Sequence, residues 1–210
     1  MNTMLIQSLS ARLTAPSYSF LPILAIVLFA CYIVAVILLH VLERNTNPIR
    51  YSLSHYASTP HGRMAKIQLI LRDVGYISLG VYLYLNYSFL QAGGLLLVAA
   101  AAAGLLGAIF SIDENHHPFQ ASDYLHIAFA AVHFFLLVTA MSTITTNLAF
   151  EGLLSRGNLA QLMVTLAYDS LIVFAICFFI PPLRRVAGLM ERIFMASTLA
   201  WFFLITIQFL

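Results

Sequence analysis

Six long apolar stretches, at residues 20–42, 67–89, 93–110, 124–144, 159–180 and 186–209, limit what this chain can fold into. Each is close to the roughly 20 residues that carry a helix across the hydrocarbon of a bilayer. Polar or helix-breaking segments separate them: 44–48, 86–94, 113–118, 151–158 and the pair Pro181-Pro182. Charged residues make up 9% of the chain, against about a quarter in a typical soluble domain, so lipid is the solvent that fits. The expected fold is all-α, a polytopic bundle of six transmembrane helices over 20–210 with no separate soluble domain. Residues 1–19 form a tail or a short interfacial helix, with Leu5, Ile6, Leu9 and Leu13 on one face. They have no early apolar core of the kind a signal peptide needs.

The third stretch is short and alanine-rich, and Gly104 and Gly107 suit a helix packed tightly against its neighbours. Ser122 or Asp123 is a reasonable N-cap for the fourth helix, and Asn158 for the fifth. A formal net charge of +2 without a basic tract excludes nucleic acid as a partner. Cys31 and Cys177 lie in apolar runs, away from any CxxC spacing, and read as packing residues. Arg44, Arg50, Arg63, Lys66, Arg184, Arg185 and Arg192 fall on one membrane side, Arg12 and Arg156 on the other. By the positive-inside bias this predicts a protein of a bacterial-type inner (plasma) membrane with both termini extracytoplasmic.

The ionisable residues gather toward the predicted cytoplasmic half. The first loop supplies Asn47, Ser52, Ser54, His55 and His61, and the third supplies Asp113, Glu114, His116 and His117. Within the membrane lie His40, Arg72, Asp73, Asp123, His126, His133 and Asp169. Such groups are costly in lipid and normally turn inward to pair. The 3.6-residue period aligns Asp123, His126 and His133 on one stripe of the fourth helix, Gln161, Thr165 and Asp169 on the fifth, and Gln68 with Arg72 on the second. Lining one cavity, these stripes predict an Arg72–Asp169 pair, because Asp73 is turned about 100° from its neighbour around the helix. The structural alternative is a set of satisfied packing pairs. The four loop histidines read as a solvated surface.

Two cofactors suit these residue types. Zinc comes first: Asp113, Asp123 and His126 are three nitrogen and oxygen ligands, enough for a catalytic ion with a bound water, although no HExxH occurs. Haem b comes second and needs axial histidines from two helices, for which His40 and His126 are the candidates. Binding without chemistry, in a polar cavity facing the cytoplasm, is the leading reading, with the metal-dependent hydrolase as the alternative. Asn47, Arg72, Asp73, His133 and Asp169 would hold the headgroup of a membrane lipid or amphiphilic small molecule, its tail between helices. A homo-oligomer remains open.

The stretches Asn47-Pro48-Ile49, Ser54-His55-Tyr56-Ala57 and Gly62, followed by Phe110-Ser111-Ile112-Asp113 and His126-Ile127-Ala128, resemble the motifs of the uncharacterised bacterial and archaeal membrane proteins known as domain-of-unknown-function family 998. The resemblance covers about residues 20–210, although Ser111 stands where the family usually has proline. It implies six helices and a membrane location but no reaction, and it singles out Ser54, Asp113 and His126 as candidate catalytic positions. These three residue types on one membrane face also resemble the ceramidase and adiponectin-receptor superfamily of intramembrane zinc hydrolases. That group's closing HxxxH is absent from the last stretch of this chain.

Overall fold

The computed structural model describes residues 18–110, 120–154 and 157–210. The N-terminal segment before residue 18, the third-loop residues Asp113, Glu114, His116 and His117, and Arg156 lie outside the described residues.

The described residues form six long helices: α1 (Phe20–Leu42), α2 (Gly62–Asn86), α3 (Gln91–Ile109), α4 (Ala121–Phe150), α5 (Gly157–Phe179) and α6 (Ala187–Thr206). All of these except α2 are long and apolar enough to cross a membrane. Large apolar side chains on their outer faces, such as Ile37, Val41, Ile109 and Phe135, are exposed, as expected where the surrounding medium is hydrocarbon. The protein is therefore a helical bundle of the integral membrane kind. The 25-residue helix α2 fails the apolar test for a physical reason: it carries Arg63, Lys66, Arg72 and Asp73, and the last two are buried inside the bundle instead of facing lipid.

The apolar runs locate every helix, and the capping chemistry moves some boundaries. Pro22 lies in the first turn of α1, where a missing N–H costs nothing. Helix α2 starts at Gly62, ahead of its apolar run, so that its polar first turns rise out of the first loop. Helix α4 begins earlier than its apolar run because neither Ser122 nor Asp123 is the N-cap. Gln120 is, and Asp123, three residues on, returns its carboxylate to the Gln120 N–H at 2.8 Å in a capping box. Asn158 lies inside α5, which begins at Gly157.

Helices α1 to α4 pack in sequence, each on the next, and α6 closes the bundle against α1 while carrying α5 on its flank. Small residues set the closest approach: Cβ atoms at Gly80 of α2 or Gly94 of α3 would collide with the other's backbone oxygen. An aromatic layer joins α1, α2 and α6, with Phe29 against Phe202 at 4.0 Å between ring centroids and Tyr76 against Phe202 at 5.3 Å. Trp201 of α6 donates its indole N–H to Thr145 of α4 at 2.8 Å, both residues buried. By contrast α4 and α5 touch over a much smaller area than the other sequential neighbours α1–α2, α2–α3 and α3–α4. That gap is where the polar residues open.

Candidate functional site

A cleft of about 320 Å³ runs into the bundle between α4 and α5. Its inner end is polar, formed by Ser52 and Ser54 of the first loop, Arg72 of α2, His126 and His133 of α4, and Glu191 of α6. Its walls are apolar, with Phe134 and Phe135 on α4 facing Leu171, Phe174 and Phe178 on α5. At the outer edge Phe135 and Phe179 are 65% and 73% exposed, so the cleft opens sideways toward lipid.

Each polar side chain there is positioned by a specific local bond. His133 places Nδ1 2.7 Å from the carbonyl oxygen of Ala100. About two turns earlier on α4, His126 places Nδ1 2.8 Å from the carbonyl of Gly107 and 2.6 Å from that of Phe110. A carbonyl only accepts, so Nδ1 carries a proton in both rings. The two histidines are seven residues apart on α4, and the acceptors Ala100 and Gly107 are seven apart on α3, so they act as two rungs tying these helices together. Nε2 of His133 is buried and has no hydrogen-bond partner among the described residues.

Arg72 and Asp73 form a buried pair, Nε donating to Oδ1 at 2.8 Å. This corrects the expected Arg72–Asp169 pair. A Cβ added at Gly104 of α3 would collide with the Asp73 carboxylate and the His133 ring, so the missing side chain makes the space in which both sit. With Asp73 held there, the long arginine side chain curls back over its own neighbour, which helical angles alone argue against. Asp73 Oδ2 and both amide atoms of Gln68 have no partner among the described residues. Asp169 is exposed on the outer face of α5, together with Gln161 and Thr165, so this stripe does not line the cleft. The register of α5 is set by Ala160, Val164, Ala167 and Ser170, which turn inward, leaving the polar stripe on the opposite side.

The first loop folds back over the α1 and α6 ends. Asn47 accepts the Ile49 N–H at 2.9 Å in a local turn and does not line the cleft. The hydroxyls of Ser52 and Ser54 are 2.9 Å apart. Glu191 and Arg192 are functional candidates that inspection of the sequence missed. Glu191 accepts the Leu53 N–H at 2.6 Å. Arg192 donates to the Tyr51 and Gly188 carbonyls at 2.8 and 2.9 Å and to His40 Nε2 at 3.1 Å. An adjacent acid and base one turn inside an apolar run was the available signal. His40 also places Nδ1 on the Val36 carbonyl at 2.7 Å, so both its ring nitrogens are engaged and it is not a free haem ligand. His61 pairs with Glu43 at 2.8 Å, and His55 stacks on Tyr51 at 4.2 Å.

Of the three candidate zinc ligands, Asp123 is engaged in the α4 cap, His126 lines the cleft, and Asp113 lies outside the described residues. Among the described residues, no three His, Cys, Asp or Glu side chains converge as a metal site. Ser54 and His126 do share the cleft. A family model with the description "Protein of unknown function (DUF998)" matches residues 23–208. No curated protein and no solved structure matches the chain.

Proposed function

We propose a function for this chain, which belongs to the DUF998 family of proteins of unknown function: it binds an amphiphilic or lipid-like molecule in the cleft between α4 and α5. One observation carries the reading: the cleft joins a polar inner end to aromatic walls and opens sideways toward lipid. An amphiphile entering from the bilayer would set its headgroup against Arg72, Ser52, Ser54 and the Nε2 atoms of His126 and His133. The guanidinium uses Nε for Asp73 and keeps its outer N–H groups for an anionic oxygen. The tail would lie along Phe134, Phe174 and Phe178.

The reading includes a topology of six spans, in which α2 crosses the membrane shielded by its neighbours. The cationic first loop is then cytoplasmic, with both termini extracytoplasmic in a bacterial-type inner membrane. The polar end of the cleft, beside Ser52 and Ser54, faces the cytoplasm in that orientation.

The test is lipid bound to protein purified in mild detergent, measured by native mass spectrometry. Ala130→Trp and Ala175→Trp place an indole in the cleft and should remove the bound mass. Unchanged occupancy in both folded variants sinks the reading. A metal-dependent hydrolase of such a lipid, with Ser54, Asp113 and His126 as catalytic residues and Asp113, Asp123 and His126 as ligands, is kept as a second reading because Ser54 and His126 line the same cleft. It requires stoichiometric zinc in the purified protein and its loss in His126→Ala.

A further inference from the structure

The outer face of α5 carries a pattern that neither the fold nor the cleft explains. Asn158, Leu162, Thr165, Asp169, Ile172 and Ile176 are all exposed, and their spacing is four, three, four, three, four. That is the a/d seam of a heptad repeat, which keeps one narrow face turned to a neighbouring helix over about five turns. The seam is opposite Ala160, Val164 and Ala167, which bury α5 against the rest of the bundle, and it is turned away from the Phe174 and Phe178 wall of the cleft.

Its composition argues against lipid as the final neighbour. Asp169 lies twelve residues from Gly157 and ten from Phe179, at mid-depth, and its side chain is too short to reach either interface as a lysine or arginine would. Intramembrane carboxyl groups are normally directed at a partner, and Asp169 has no hydrogen bond or ion pair within the described residues. Arg72, a buried cation within the bundle, is engaged with Asp73.

We propose that this seam is the contact between two copies of the chain, paired in parallel through α5 about a two-fold axis along the membrane normal. Two copies in one membrane share an orientation, so each seam residue meets its own counterpart. The polar residues satisfy one another in that register. Asparagine both donates and accepts, the Thr165 hydroxyl donates to the Gln161 carbonyl at 3.1 Å and keeps its oxygen as an acceptor, and two carboxyl groups sharing a proton both donate and accept. The apolar residues Leu162, Ile172 and Ile176 supply the packing at either end. A polar group at a single central a position is also a known device for fixing register and partner number. No exposed arginine or lysine among the described residues is at the depth of Asp169, so the carboxyl pair is the contact that a second copy offers.

The test is disulfide cross-linking in native membranes, in a chain carrying Cys31→Ser and Cys177→Ser. Single cysteines at Leu162, Ile172 or Ile176 should give a species of twice the chain mass on mild oxidation. Cysteines at the exposed but off-seam Leu159 and Leu166 should give at least fivefold less. Asp169→Asn should retain the cross-link, and Asp169→Leu should lower it several-fold while the solubilised monomer remains folded. Equal cross-linking on and off the seam, or none at any seam position, overturns the proposal. A seam cysteine captured by a different protein overturns it as well, since the stripe then belongs to another partner.

Discussion

Deleting the Arg72 guanidinium tests the buried pair most directly. Asp73 is wholly buried and Arg72 is 5% exposed, with Nε and Oδ1 2.8 Å apart. Arg72→Met therefore leaves a carboxylate without its counter-charge in an apolar interior, at a cost of about 3–5 kcal/mol. Folded domains hold roughly 5–15 kcal/mol of stability in total, so the loss is a large share. At about 2–4 °C per kcal/mol for a chain of this size it amounts to roughly 6–20 °C in midpoint. Arg72→Met with Asp73→Asn removes both charges, and such replacements of a buried pair are often close to neutral. The double variant should regain most of the loss, a coupling of about 3 kcal/mol. Arg72→Met with Asp169→Ala should instead be additive, because Asp169 is on the outer face of α5. Thermal unfolding in detergent, followed through the fluorescence of Trp201, the single tryptophan, reads all these variants. Additivity between Arg72 and Asp73 would refute the pairing argument.

Gly104→Ala forces a methyl group onto Asp73 and His133 and should cost about 1–3 kcal/mol, whereas Gly107→Ala meets its nearest neighbour at an ordinary 3.5 Å and should change the melting midpoint little. Trp201→Phe strands the buried Thr145 hydroxyl and should cost about 1–3 kcal/mol in a melt followed by circular dichroism, because that variant has no tryptophan. Glu43 opposes the penalty of burial with hydrogen bonds from Thr59 and His61, which hold its carboxyl below the usual carboxylate range. A depressed folded-state value means stability that is present at neutral pH and lost as pH falls through the carboxylate range. Glu43→Gln should flatten the acid limb of the stability profile, and an unchanged limb would refute this role. A reporter fused after Leu210 should be active only in its extracytoplasmic form, and cytoplasmic activity would overturn the assigned topology.

The sequence by itself determined the helical, membrane-embedded character of this protein and the position of every long helix, because 20-residue apolar runs admit few alternatives. It also placed Asp123, His126 and His133 on one buried stripe, since helical period is a local property. The Arg72 partner, the outward turn of Asp169 and the engagement of Glu191 and Arg192 with the first loop were decided only by tertiary structure. Period gives the angle between two stripes on one helix, but not which stripe meets a neighbour. That depends on where small residues such as Gly104 and Gly80 allow helices to approach, and on which face of α5 finds α6. A charge in an apolar run therefore marks a cost that must be met, while packing chooses whether a neighbour in sequence, a loop amide or another chain meets it.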